Sequence, residues 1–264
     1  MRELDPADGL MDTLPLYPNR SENPGLALRR QRDSLLEKGA GSPQRLEESM
    51  AALVRECVFE TLRLTGAPVS RQAVAAAAGG GGETEERDLI QGQVEALRLL
   101  DEAARSGGQL TPKLVREVHR LSTRPDSAGG QFRRQDIEGQ FAAASPSPPE
   151  LISAKVDNLC DWLSVDSGRG MHPPEKGALA FARLLEISPF EHGNFRTAHL
   201  LLSFFAFAER YPPFFLRFEE AEDVREEVER AMRFETLPLV NRLARALAGS
   251  LSFCIEEVSG RAGP

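Results

Sequence analysis

The chain has little of what would mark a secreted, membrane-spanning or nucleic-acid-binding protein. Only three of its 264 residues are cysteines, Cys57, Cys160 and Cys254. They lie far apart and form no CxxC pair, so neither a disulfide framework nor a thiolate zinc site is expected, and a cytoplasmic, reducing compartment is the plain reading. The longest strongly apolar stretch, around 200–208, falls far short of the ~20 residues needed to cross a bilayer. The opening MRELDPADGLMD lacks the apolar segment of a cleaved leader. Basic residues are the minority, 32 Lys and Arg against 40 Asp and Glu, for a net charge of −8. That balance argues against nucleic acid as the main partner, because phosphate neutralisation needs a basic field; it leaves room for a local cationic pocket. The four-glycine run 79–82 follows no apolar strand and ends in no Gly-Lys-Ser/Thr, so it reads as a link or loop tip and not a phosphate cradle. No internal repeat appears.

What is present is helical periodicity. Residues 1–44 carry Pro6, Pro15, Pro18 and Pro24 among polar neighbours and read as a flexible arm, with 26–37 as its one short helix. Ser42-Pro43 opens a helix in which Leu46, Met50, Leu53, Cys57, Val58, Thr61 and Leu64 recur at three-to-four spacing, until Gly66 and Pro68 stop it. Further helices are expected over 69–78, 84–104, from 111 onward, and over 150–164, 174–186, 193–210, 219–232 and 236–256. The pattern breaks over 124–149, where Gly129, Gly130 and Gly139 flank Gln131–Ile137 in a hairpin-like segment closed by Pro146, Pro148 and Pro149. The expected fold is therefore mainly α with one small β-hairpin. The expected division is an arm over 1–44, a helix and Gly-rich link over 45–84, the main domain over 85–258 and a tail over 259–264.

One segment carries chemistry: Ile187-Ser-Pro-Phe-Glu-His-Gly-Asn-Phe-Arg-Thr-Ala-His-Leu200. A loop bearing Pro189 leads into a helix starting near Gly193-Asn194 that is apolar on nearly every side, which places it at the centre of a bundle. Free N–H groups and the positive end of the helix dipole converge at its start, with Arg196 as a bidentate donor, so this end is a candidate anion site.

Here the sequence resembles the Fic (Fido) family, whose motif is His-Pro-Phe-x-Asp/Glu-Gly-Asn-Gly/Lys-Arg-x-x-Arg. Pro189, Phe190, Gly193, Asn194 and Arg196 stand in register. The resemblance extends over about 50–250 and implies a Fic-type helical bundle. It implies a flap containing Phe132, Arg133 and Ile137 that lines up the target segment. It also implies ATP as the ligand and AMP transfer to a protein hydroxyl as the family's usual activity. The departures are equally clear. The position of the motif's general base is Ser188, which is not basic near neutral pH. The position of the acid that holds Mg²⁺ is His192, a poor ligand for a hard cation, which puts Mg²⁺ in doubt. Phe195 replaces the small or basic residue, and His199 replaces the last Arg. Thr61, Thr65 and Gly66 are similar to the family's inhibitory Ser/Thr-x-x-x-Glu-Gly, with Thr65 where the family has Glu.

Beside these sharp readings stand plain ones. His119 and His172 read as ordinary helix and loop residues, and Arg133 and Arg134 as solvated charges. Glu219–Glu229 reads as a solvated acidic face. His192 and His199, seven apart, would share a helix face, yet no third ligand follows from spacing and no metal site is expected. The residues leave three functions open. One is a degenerate Fic-fold protein that binds a nucleotide, another phosphate-bearing ligand or a protein partner, with little or no AMP transfer. Another is an active transferase using His192 as a displaced base. The last is a non-enzymatic scaffold.

Overall fold

The computed structural model describes residues 24–78, 80–126, 128–164 and 170–260. Among these it contains ten α-helices: α1 Pro24–Gly41, α2 Pro43–Leu64, α3 Arg71–Ala78, α4 Thr84–Arg105, α5 Pro112–Ser122, α6 Ile152–Ser164, α7 Pro173–Ile187, α8 Asn194–Ala208, α9 Ala221–Met232 and α10 Leu237–Val258. Proline stands at the N-terminus of α2, α5, α7 and α10, where its missing N–H removes a donor the helix could not satisfy anyway. Thr111 caps α5 by accepting from the Leu114 N–H. His172 caps α7 together with Glu175, whose carboxylate accepts from the His172 N–H at 2.7 Å.

The bundle is organised around α8. Every residue from Thr197 to Phe207 on this helix is buried, and α7, α4, α5 and α2 all pack against it. Leu200, Leu201, Leu202, Phe204, Phe205 and Phe207 thereby leave water on all sides; burial of each such side chain contributes about 1.5–3 kcal/mol. The all-round apolar pattern thus does correspond to the central rod.

The structure extends one expectation and corrects another. The short helix expected over 26–37 runs over Pro24–Gly41, 18 residues, and lies on α10. It is held by the buried Leu28 and Leu35, and by Arg32, whose guanidinium stacks over Tyr211 at 5.0 Å and donates to the Glu209 carbonyl. Polar composition obscured a narrow apolar stripe. The rest of the proposed arm, 1–23, and most of the tail lie outside the described residues. Second, no strand occurs among the described residues, so the flap is not a β-hairpin. Its backbone pairs with the motif loop and with the end of α7: the Arg133 N–H donates to the Pro189 carbonyl and the Ser147 N–H to the Ile187 carbonyl.

A candidate anion cleft at the start of the central helix

The loop from Ser188 to Gly193 joins α7 to α8 and begins and ends in the left-handed backbone region, with φ of 46° at Ser188 and 70° at Gly193. At Gly193 the requirement for glycine is twofold. The positive φ disfavours a side chain, and a Cβ would stand 2.7 Å from the Thr123 methyl. The loop between these ends is clamped by Asn194. Its Oδ1 accepts from the Phe190 N–H at 2.9 Å and its Nδ2 donates to the Phe190 carbonyl at 2.8 Å. Asn194 is therefore buried inside the loop it shapes and does not face the cleft.

Ser188, at the base position of the motif, is also buried. Its hydroxyl donates to the Leu185 carbonyl at 2.6 Å and closes the end of α7. Its carbonyl accepts from Arg133 Nε at 2.8 Å. Arg133 also donates to the carbonyls of Gln135 and Ser147. Burial lowers the pKa of this guanidinium, and the acceptors of its hydrogen bonds are neutral carbonyls. Arg133 is thus a latch between flap and motif loop and not the solvated charge expected. Phe132 leans on Phe190 with ring centroids 5.6 Å apart, and Ile137 is half-buried further along the flap.

His119, read as an ordinary helix residue, ties these pieces together. Its Nδ1 accepts from the Gly130 N–H at 2.8 Å, so the ring proton is on Nε2, which donates to the His192 carbonyl at 3.0 Å. The ring stacks on Phe190 at 3.6 Å. Burial drives its pKa down to about 4, which keeps it neutral. Nothing in the spacing of the sequence announced this role, since Gly130 and His192 reach it from different loops.

Arg196 points from the first turn of α8 toward the end of α2. Its Nε and Nη2 donate to Thr65 Oγ1 at 3.2 and 3.1 Å, and its Nη1 donates to the Ser122 carbonyl at 3.0 Å. Thr65 in turn donates to carbonyls of Thr61 and Leu62. No carboxylate among the described residues pairs with Arg196, and burial lowers its pKa. Gly66 follows α2 with a φ of 80° and lets the chain turn away.

His199 lies deeper, one turn along α8. Thr61 donates its hydroxyl proton to the Cys57 carbonyl at 2.6 Å and so must accept from His199 Nδ1 at 3.0 Å. That leaves His199 Nε2 as an unprotonated, buried acceptor without a partner, and burial lowers the pKa to about 4. His192 precedes α8 and lies outside it, so the two histidines do not share a helix face. Phe195 packs edge-on against Phe181.

A cleft of about 760 Å³ opens over this helix end. Thr65, His192, Gly193, Phe195 and Arg196 line it, joined by Thr123, Phe141 and Arg225, which the sequence reading did not single out. Phe141 comes from the flap region, and Arg225 on α9 sits over its ring at 5.1 Å. The first amides of α8 have no carbonyl within the helix to bond, and the dipole's positive end lies here. The arrangement suits an anion with an apolar appendage. Ser188, Asn194, His199, Thr61, Gly66 and Ile137 do not line the cleft, while Phe132 and Arg133 line a separate cavity of about 220 Å³ on the flap side. The residues do not fit Mg²⁺: an imidazole occupies the position of the acid, and no group of three His, Cys, Asp or Glu among the described residues could hold a metal.

A helical bundle with a candidate anion cleft at the mouth of its buried central helix is the class of protein this fold and site define. Comparison with known proteins narrows it. The family model of the Fic/DOC family matches residues 109–206. It is 27% identical over 164 residues to "Protein adenylyltransferase Fic" of Nematostella vectensis, covering 61% of this chain and 38% of the relative. It is 26% identical over 204 residues to "Protein adenylyltransferase fic-1" of Caenorhabditis elegans, covering 74% and 40%. The chain thus spans about two fifths of the length of these curated relatives. Among solved structures, a Fic domain containing signaling protein from Bacteroides thetaiotaomicron superposes with a TM-score of 0.76 at 22% identity, covering 87% of this chain and 97% of that one. Fic-1 (residues 134–508) from C. elegans superposes with a TM-score of 0.74 at 22% identity, covering 90% and 74%. These likenesses show the fold.

Proposed function

We propose that this protein binds a nucleotide, ATP by preference, through its phosphates at Arg196 and the start of α8, and that AMP transfer is slow relative to binding. The observation that carries the reading is Arg196: a part-buried guanidinium whose acceptors are a hydroxyl and a carbonyl, facing a cleft and lacking a carboxylate. Such a cation is stabilised by an arriving anion more than by the neutral groups now around it. Phe141 and Phe195 supply an apolar surface in the same cleft for a base. The relatives named protein adenylyltransferases support ATP as the nucleotide. Slow transfer follows from Ser188, whose position as proton acceptor is closed by its bond within the α7 terminus. Titration calorimetry with ATP and with pyrophosphate tests the reading. Both should bind the unmodified protein, and Arg196→Ala should weaken ATP by about 10- to 100-fold, as expected for the loss of a charged bidentate contact. ATP binding that is unchanged by Arg196→Ala would sink it.

A further inference from the structure

We infer that an exposed apolar ridge around Phe234, walled by α6, α7 and the turn between α9 and α10, is a docking surface for residues 3–17 of this same chain, the acidic and aliphatic segment that precedes α1. Phe234 is 83% exposed, and its φ of 70° lies in the left-handed region. It follows the end of α9, where its N–H donates to the Ala231 carbonyl and the Glu235 N–H to the Arg230 carbonyl, both at 3.0 Å. This helix-closing position favours glycine, because a Cβ crowds the following carbonyl oxygen. A phenylalanine here is disfavoured twice, by its backbone and by water. Its ring stands beside the Arg183 guanidinium, 4.5 Å from the centroid. Phe234 is the shared wall of two cavities. One, of about 410 Å³, is bounded by Leu159, Trp162 and Leu179; the other, of about 590 Å³, by Leu237 and Pro238. Trp162 and Leu237 are themselves large apolar side chains open to solvent. Such a cluster on one face marks an interaction site, whereas scattered single residues would not.

Charge and chain length select the occupant. Lys155, Arg183, Arg230 and Arg245 rim the two cavities. Of the acids on the same rims, Glu186 matches Arg183, Glu235 matches Arg230, and Glu227 is taken by Arg242. Lys155, which donates to the Ser147 hydroxyl, and Arg245 are left without a carboxylate among the described residues. The rim is thus cationic in a chain whose net charge is −8. Residues 3–17 carry four acids, Glu3, Asp5, Asp8 and Asp12, and no base, with Leu10, Met11, Leu14, Leu16 and Tyr17 as apolar anchors. Opposite charge on the rim and apolar anchors for the centre are the complement that the ridge calls for. Position agrees with charge. α1 begins at Pro24, and the Gly25 backbone lies against the His172 ring, where a Cβ would stand 1.9 Å from Nε2. His172 caps α7, the helix whose Leu179 and Arg183 wall the first cavity. From His172 to Arg183 the helix rises about 17 Å. Residues 18–23 in extended form cover ~20 Å, which brings Tyr17 and the apolar residues before it to the ridge with α1 in place. Tethering supplies an effective concentration of about millimolar, so even a weak contact is populated.

Trp162 is the one tryptophan of the chain, so its fluorescence reports the ridge directly. The test measures its emission maximum and its quenching by acrylamide in the full chain. In the unmodified protein the indole should be shielded. A variant carrying Leu10→Ser, Leu14→Ser and Leu16→Ser should release the segment, shift the emission to the red and raise the quenching constant by about twofold, as water regains the ridge. A synthetic peptide of residues 3–17 added to that variant should restore the shielding saturably, and roughly 0.5 M sodium chloride should weaken the restoration by screening the rim charges. Phe234→Gly should match the triple variant in quenching without lowering the melting temperature, since glycine suits this backbone position. Quenching unchanged by the three serines overturns the inference. Shielding that persists in the triple variant and grows with protein concentration assigns the ridge to a second copy and overturns it as well. A peptide that does not bind the triple variant does the same.

Discussion

Two arginines in this protein are held in opposite ways. Arg242 on α10 donates to Glu220, Asp223 and Glu227 at 2.6 to 3.0 Å, three carboxylates at and after the start of α9. These contacts, that with Glu227 foremost, raise its pKa far above the ordinary value. Arg196 is met by a hydroxyl and a carbonyl only, and burial lowers its pKa. The contrast separates a structural ion cluster from a proposed binding group. Arg242 is neutralised within the fold and joins two helices. Arg196 is held in place by acceptors that leave its charge uncompensated at the edge of a cleft. The acidic stretch over 219–229, expected as a merely solvated face, is in part the counter-charge of Arg242.

The contrast can be broken or sharpened experimentally. The largest effect on stability should come from Arg242→Ala, which leaves three carboxylates facing one another. Discounted for the partial exposure of Glu220 and Asp223, the loss should be about 2–3 kcal/mol, seen as a melting temperature lower by roughly 4–12 °C. Arg196→Ala should not behave this way; it should lose ligand affinity while the melting temperature moves by no more than a few degrees. Thr65→Glu should turn Arg196 into a second Arg242. A carboxylate at that position would pair with the guanidinium, raise the melting temperature slightly and weaken ATP binding by at least about 10-fold. If Thr65→Glu binds ATP as before, the cation that matters is another one, and Arg225 is next in line.

A smaller effect concerns pH. His119 and His199 are both held near a pKa of about 4 by burial, below the ordinary value of 6.5. The unfolded chain therefore takes up protons first as pH falls, and stability should decline between pH 6.5 and 4 by up to about 1.4 kcal/mol per pH unit for each histidine. Urea unfolding across that range checks the slope, and His199→Asn should reduce it by roughly half. The smallest effect is expected at Ser188: replacement by Ala removes one buried hydrogen bond within the α7 terminus, costs about 1 kcal/mol, and leaves ATP binding unchanged.

The order of helices could be read from local signals because those signals act over a few residues. Ser42-Pro43, Thr111-Pro112 and the prolines at 173 and 238 mark helix starts, and each observed helix begins within a few residues of its expected position. Gly193 and Asn194 were legible as the mouth of the central helix for the same reason. The hairpin-like pattern over 131–137 misled because glycine-flanked segments with alternating side chains suit either a strand pair or a loop pinned elsewhere; Arg133, a latch onto the motif loop, decided it. The approach of Asp126 Oδ2 to within 2.9 Å of His192 Nε2 carried no signal, since Asp126 lies 66 positions before His192 and is an unremarkable loop acid in the sequence. His119 was hidden in the same way, a histidine on an amphipathic helix whose partners come from two distant loops.

By itself the sequence determined the helical content, the central position of α8 and the presence of a cation with free amides at its start. These follow from periodicity, capping and the cost of exposing an apolar rod, all of which operate between near neighbours. Only the tertiary structure decided that Arg196 would meet Thr65 and no acid, that Ser188 would close a helix, and that His192 would stand against Asp126 between two cavities. Contacts across 131 and 66 positions depend on how helices pack, because hydrogen bonds form only within about 3 Å and no local pattern specifies which distant side chain arrives there.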